Sequence, residues 1–238
     1  FFGVQPDMTV IEMIPGGGWY TELLAPLLNA NGQYIAGIAK SSKPDSEANG
    51  ANTIVHKLIK AFPAQFGHAK VVRFDSHAPV LGPAGSADAV LTFRNVHNWV
   101  MGDYAPQMFA AFFKVLKPGG LLGVADHRAS AGDKLDAALK KTGYLPQAYV
   151  IKLATDAGFK LAAKSEINAN PKDSHDHPKG VWTLPPTLAL GDKDKAKYLA
   201  IGESDRMTLR FVKPAAPADV IKRAGMETPP SAASSVAH

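Results

Sequence analysis

Residues 10–20 read VIEMIPGGGWY, an apolar run that stops at Pro15 and three consecutive glycines. A nearly continuous apolar run is typical of a strand that is buried on both faces, as in a parallel sheet. Glycines directly after such a strand let the backbone approach a ligand and leave the first N–H groups of the next helix open to an anion. The stretch therefore predicts a strand, a glycine turn and a helix. For three glycines alone, a tight turn that needs positive φ angles is the simpler explanation.

Outward from this stretch, strand-like and helix-like patterns alternate along the chain, which predicts an α/β fold of the Rossmann-like, doubly wound kind. Six further strands follow the first, Thr9–Ile14; they are Tyr34–Ile38, Lys70–Phe74, Ala89–Phe93, Leu121–Ala125, Lys160–Ile167 and Met207–Val212. Helices are predicted at Trp19–Leu28 (bent or ended by Pro26), at Asn52–Phe62, from a cap at Asp103 to the turn Lys117-Pro118-Gly119-Gly120, and at Gln147–Ala157 before a capping Gly158.

The last strand has a different pattern from the first five. Met207–Val212 alternates apolar with polar residues, which favours an antiparallel strand. We expect a mostly parallel sheet that ends in a C-terminal antiparallel β-hairpin, whose two strands are joined by a long connection at residues 168–204. Residues 1–213 then form a single domain, and residues 214–238 form a tail rich in Ala, Pro and Ser.

Composition excludes several classes of function. The 238 residues include no cysteine, so disulfides, thiol catalysis and thiolate metal sites are excluded. No apolar run approaches the roughly 20 residues that cross a bilayer, so membrane insertion is not expected. The net charge of +5 is scattered without interleaved aromatic residues, so nucleic-acid binding is not expected. Because the chain begins at Phe1, both a cytoplasmic and an exported, processed protein are compatible with the sequence.

Several further stretches carry a resemblance to a known family. Glu12 ends the first strand and Asp75 ends the third, while ADAVLTFRNVHNW (87–99) and FKVLKPGGLLGVADHR (113–128) supply the fourth and fifth strands. In this order, over residues 3–213, they resemble class I S-adenosylmethionine-dependent methyltransferases. More narrowly, PGGGWYTELLAP, LTFRNVHNW and the ending GESDRMTLRFVKP resemble a poorly characterised bacterial group of predicted methyltransferases, whose members often carry export signals.

The resemblance implies S-adenosylmethionine as cofactor, S-adenosylhomocysteine as product and a small-molecule acceptor. The cofactor-binding residues that it implies are Glu12, Gly16, Gly17, Gly18, Asp75 and Asn95. Two departures weaken that site. Ile14 replaces the first glycine of the family pattern, and the second strand ends in Ile38, Ala39 and Lys40 without the usual ribose-binding acid, so that Asp45 or Glu47 would have to reach back. A lost charge-assisted bond costs about 1.5–3 kcal/mol, or roughly ten- to a hundredfold in affinity.

Catalytic candidates follow the fourth and fifth strands. If these strands are neighbours, Arg94 and His97 lie near Asp126 and His127. His97, expected in a loop, is the first choice for a general base or substrate contact, and a structural histidine is the alternative. Asp126 either orients His97 or caps a turn. Asp126 and His127 should point to opposite faces of the strand, so that one of them enters the pocket.

The remaining candidates have simpler alternatives. Arg94 either holds an acidic substrate group or pairs with Asp126, and Trp19 and Trp99 either line an apolar pocket or pack in the core. His175-Asp176-His177 is a weak metal pattern, because a third ligand is missing; an exposed loop or a lid explains it as well, and no metal is expected. Besides methyl transfer, the fold is compatible with a ligand-binding protein that does not methylate, or with a different reaction at a degenerate cofactor site.

Overall fold

The computed structural model describes residues 1–40 and 53–215. The strands are β1 (Thr9–Met13), β2 (Gln33–Ala39), β3 (Lys70–Phe74), β4 (Ala87–Phe93), β5 (Leu116–His127), β6 (Lys160–Ser165) and β7 (Arg206–Val212). The helices are α1 (Thr21–Leu28), α2 (Ile54–Ala61), α3 (Pro63–Phe66), α4 (Val96–Met101), α5 (Ala105–Val115), α6 (Ala137–Lys140), α7 (Gln147–Asp156) and α8 (Lys195–Ile201), and a 3-10 turn covers Gly180–Thr183.

The strands of the described residues form one seven-stranded sheet in the order β3-β2-β1-β4-β5-β7-β6. The first five are parallel, and β7 runs antiparallel to both β5 and β6. The expected mostly parallel sheet with a C-terminal antiparallel hairpin is confirmed. The order places β4 and β5 side by side, with Thr92 opposite Val124 and Phe93 opposite Ala125.

Both faces of the sheet are buried, as the continuous apolar runs predict. Along β1, Val10 packs in the cluster that α1, α2 and α3 form on one face, whereas Ile11 and Met13 pack in the larger cluster that α4, α5 and α7 form on the other. Among the described residues, no helix is long and apolar enough to span a membrane.

Some local predictions were wrong. Asp103 does not cap α5: it has a positive φ of 59° and its carboxylate pairs with Lys140, while Tyr104 precedes the helix. Of the two effects expected of Pro26, a bend or an end of the helix, the structure rules out the end, since Pro26 lies inside α1. The short helices α3, α4, α6 and α8 were not predicted from the sequence. Asp45, Glu47 and residues 216–238 of the expected tail lie outside the described residues.

Candidate active site at the ends of β4 and β5

Asp126, near the end of β5, is a fully buried carboxylate that accepts four hydrogen bonds. Its Oδ2 accepts the backbone N–H groups of Val96 (2.6 Å) and His97 (3.3 Å), at the start of α4. Its Oδ1 accepts from His97 Nδ1 (2.8 Å) and from the backbone N–H of His127 (2.7 Å). Burial by itself would raise the pKa of Asp126, but His97 and these bonds outweigh it and hold the pKa below its usual range. The carboxylate therefore both contacts His97 and caps α4.

His97 lies in the first turn of α4, not in a loop as expected, and only 3% of it is exposed. The carboxylate of Asp126 keeps the Nδ1 proton in place, so the lone pair of the ring is at Nε2. No described residue forms a hydrogen bond with Nε2. The ring contacts His127 edge to face, with 4.7 Å between centroids, and Trp182 at 5.9 Å. An imidazole oriented by a carboxylate, with its second nitrogen open, is the arrangement of a general base.

His127 belongs to the same cluster, although we expected Asp126 and His127 to point to opposite faces. The strand ends at His127, and the Asp126 side chain folds back to accept the N–H of that residue. His127 Nδ1 is hydrogen bonded to Ser204 Oγ. Burial lowers the pKa of His127 to about 3, despite the opposing effect of Asp126, so the imidazole is neutral at physiological pH.

Arg94 follows β4 with a positive φ of 59°, and its backbone N–H donates to Ala125 (2.8 Å). Of the two roles that the sequence left open for Arg94, pairing with Asp126 is not observed, since the four bonds to Asp126 come from other groups. Of the two candidate tryptophans, Trp99 is completely buried against Phe112 and packs in the core, whereas Trp19 is 69% exposed and contacts Tyr20 edge to face.

The geometry of the cluster is better suited to proton transfer than to metal binding. His97, Asp126 and His127 each offer one ligand atom within 4.8 Å of the others, and they are the one such group in the described ranges. However, the four N–H donors already occupy the lone pairs of Asp126, which leaves two imidazoles where catalytic zinc sites use three protein ligands. The stretch His175-Asp176-His177 was the other candidate metal site. His177 Nε2 is hydrogen bonded to Asp173 (2.8 Å), and His175 Nε2 lies 3.4 Å from Asp205, so the two rings contact different carboxylates.

The long connection before β7 contributes two residues to the candidate site, Trp182 and Ser204, that were not predicted from the sequence. Both contact the histidine cluster. Arg128 holds the end of this connection through two bonds to Asp205, at 2.8 and 3.0 Å. The sequence placed the connection before the last strand but carried no pattern that assigned either residue to the site.

The glycine turn lies beside this cluster, at the same edge of the sheet. Ile14 has a positive φ of 49°, a conformation that β-branched residues rarely adopt. A Cβ on Gly16 or Gly17 would meet no atom within 4 Å, and their N–H groups donate to no backbone acceptor among the described residues. At Gly18, in contrast, a Cβ would lie 2.6 Å from Cγ1 of Ile54, so this glycine is needed for packing.

The other cofactor candidates lie at the ends of β1, β3 and β4. Glu12 is buried, and its Oε2 accepts from Thr21 (2.9 Å) and Tyr34 (2.5 Å), which braces β1 against α1 and β2. Asn95 donates to the carbonyl of Met13 (2.9 Å), across the ends of β1 and β4. Asp75 is exposed, and its carboxylate accepts backbone N–H groups two and three residues downstream.

Comparison with solved structures shows that the chain has the fold of class I S-adenosylmethionine-dependent methyltransferases. A SAM-dependent methyltransferase from Aquifex aeolicus matches with a TM-score of 0.57 and 16% identity, over 89% of this chain and 85% of that chain. A putative sarcosine dimethylglycine methyltransferase from Galdieria sulphuraria matches with a TM-score of 0.59 and 12% identity, over 88% and 80%. The [4+2]-cyclase SpnF matches with a TM-score of 0.57 and 15% identity, over 90% and 77%. No protein-family model and no curated protein matches the chain.

Proposed function

We propose that the protein is an S-adenosylmethionine-dependent methyltransferase that acts on a small-molecule acceptor and releases S-adenosylhomocysteine. The observation that carries this proposal is the buried Asp126–His97 pair, at the sheet edge where the glycine turn lies. His97 Nε2 has no hydrogen-bond partner among the described residues. In open α/β sheets, ligands bind at this edge.

The glycine turn fits the cofactor despite Ile14. A left-handed conformation costs a residue other than glycine about 1–2 kcal/mol, yet Ile14 adopts it, so the turn keeps the backbone shape for which the family pattern has a glycine. The open space at Gly16 and Gly17, and their amides, which donate to no backbone acceptor among the described residues, suit a carboxylate or ribose. Glu12 and Asn95 brace the ends of β1 and β4 at this edge, through Thr21 and Tyr34 and through the carbonyl of Met13. The cofactor would supply an electrophilic methyl group on a sulfonium centre.

The polar cluster would prepare the acceptor. His97 Nε2 accepts the proton of a hydroxyl or a similar group, and the Asp126 carboxylate stabilises the imidazolium that results. His127 remains neutral, so it neither competes for this proton nor adds a positive charge beside His97. Trp182 contacts the His97 ring edge to face from the side of the long connection.

A second candidate function is supported by the degenerate cofactor pattern. Ile14, together with the missing acid at the end of β2, favours a ligand-binding protein or a different reaction on this fold. That the fold can accommodate other chemistry is indicated by the similarity to SpnF, which is described as a [4+2]-cyclase.

Calorimetric titration with S-adenosylmethionine and S-adenosylhomocysteine tests the cofactor. We expect micromolar binding that Gly17→Val abolishes without lowering the unfolding temperature, since the valine fills open space. Ile14→Gly should change the affinity by less than about threefold, because Ile14 already holds the left-handed backbone conformation for which the family pattern has a glycine. Absence of binding heat and of a thermal shift in the wild type would favour the second candidate.

The base is tested separately. His97→Gln should lower methyl transfer by roughly a hundredfold or more, while the affinity for S-adenosylhomocysteine changes less than about twofold. His68→Gln, at an exposed histidine between α3 and β3, is the control and should change neither quantity. Equal losses of turnover and cofactor affinity in His97→Gln would show that His97 is a binding residue.

A further inference from the structure

Two arginines flank the end of β5, one from each neighbouring strand. Arg94 follows β4, and its backbone N–H is bonded to the carbonyl of Ala125 in β5. Arg206 is the first residue of β7 and is the register partner of His127. The last residues of β5, which carry the polar cluster, therefore lie between two guanidinium-bearing residues from the adjacent strands.

The charge of these arginines is only partly balanced. In residues 1–40 and 53–215, Arg94 forms no ion pair with a carboxylate. Arg206 pairs through one terminal nitrogen with Glu203, but its Nε is buried and has no hydrogen-bond partner in the described part of the chain. A buried donor that lacks an acceptor is energetically costly, and such groups in native proteins typically donate to a bound water, ion or ligand.

Both arginines act on the same two side chains. Burial raises the pKa of Tyr20, at the start of α1, and the positive charges of Arg206 and Arg94 oppose that rise. Burial lowers the pKa of His127, and the same two charges lower it further. Both arginines therefore lie within electrostatic range of Tyr20 and His127, where Glu12 and Glu203 oppose them at Tyr20 and Asp126 opposes them at His127. His97 is next to this region, since its ring contacts that of His127.

We propose that the methyl acceptor is an anion, and that Arg94 and Arg206 bind its carboxylate or phosphate group beside the Asp126–His97 pair. This inference rests on the proposed function, since it names the class of compound that this site would methylate. Guanidinium groups bind planar carboxylates and phosphates through two parallel hydrogen bonds, which fixes both position and orientation. An anchor of this kind would hold the acceptor in place for proton transfer to His97, and positioning contributes most of the rate in such reactions.

The two arginines could equally bind the carboxylate of the cofactor. The following experiment distinguishes an anionic acceptor from the cofactor carboxylate. We would titrate the protein with benzoate, its neutral analogue benzamide and inorganic phosphate, in the presence of saturating S-adenosylhomocysteine. Benzoate should bind at least roughly tenfold more tightly than benzamide. Arg94→Met and Arg206→Met should each reduce this preference to less than about threefold, while S-adenosylhomocysteine affinity stays within about twofold of the wild type.

Arg210→Met is the matched control, because Arg210 lies further along β7, opposite Gly123, where it donates to the carbonyl of Phe1. This variant should keep the preference for benzoate. Equal affinity for benzoate and benzamide in the wild type would overturn the proposal. So would a loss of S-adenosylhomocysteine affinity in both arginine variants with the benzoate preference unchanged, since the arginines would then bind the cofactor. If S-adenosylhomocysteine does not bind at all, the proposed function fails, and titration of the protein alone decides whether the anion site exists without it.

Discussion

The polar cluster at the end of β5 and the glycine turn after β1 lie at the same edge of the sheet, but they are organised in opposite ways. In the cluster, every lone pair of Asp126 is occupied by a donor from the chain itself, and His97 is almost completely buried. In the turn, Gly16 and Gly17 are exposed and their N–H groups lack backbone partners among the described residues. The chain thus preorganises the groups that we propose for proton transfer and leaves open the groups that we propose for cofactor binding.

This difference separates residues that support the fold from residues that are available to a ligand. Within the turn itself, Gly18 packs against Ile54, whereas Gly17 has free space around it. A family pattern treats these glycines alike, because it records residue types and not what surrounds them. Three predictions test the contrast.

The largest effect is expected for Asp126→Asn. An amide has one acceptor oxygen, and its NH₂ group would face N–H donors that the carboxylate now satisfies. The free energy of unfolding should fall by about 3 kcal/mol, as measured by urea titration. Asp103→Asn, at an exposed carboxylate that pairs with Lys140, is the control and should cost less than about 0.5 kcal/mol. Similar losses in both variants would contradict the structural role of Asp126.

A smaller effect, dependent on pH, is expected at His127. Its pKa is lowered to about 3 by burial in the folded chain, and it is near 6.5 in the unfolded chain. Between these pH values the unfolded chain binds a proton that the folded chain does not. The free energy of unfolding therefore falls as the pH decreases, and His127 contributes up to about 1.4 kcal/mol per pH unit to this fall. The difference in unfolding free energy between wild type and His127→Gln should narrow from about pH 7.5 to about pH 5. A constant difference would show that His127 is not buried in its neutral form.

The smallest effect on the fold, and the clearest test of the turn, comes from the pair Gly18→Ala and Gly17→Ala. At Gly18 the positive φ of 87° and the 2.6 Å approach to Ile54 should cost about 1–3 kcal/mol of stability. At Gly17 the change should stay within about 0.5 kcal/mol, while affinity for S-adenosylhomocysteine falls. Thermal unfolding and calorimetry on the same samples measure both quantities. If Gly17→Ala lowered the stability as much as Gly18→Ala, neither glycine would have free space around it.

Long elements with strong periodicity were predictable from the sequence. Apolar runs predicted the parallel strands. The alternation of apolar and polar residues in Met207–Val212 correctly predicted the antiparallel strand. The short helix α4 was not predicted because it has only six residues and only two residues separate it from the end of β4. Its start is stabilised by Asp126, which lies 30 residues away in the chain. A bond of that kind leaves no local pattern.

The sequence by itself determined which residues follow the strands, and therefore that Arg94, His97, Asp126 and His127 reach one edge of the sheet. The tertiary structure decided which of them touch. It paired Asp126 with His97 and not with Arg94, brought Trp182 and Ser204 to the histidines, and placed Arg206 beside His127. The physical reason is that the periodicity of a strand or helix depends on its own backbone, whereas contacts between distant residues depend on how the elements pack.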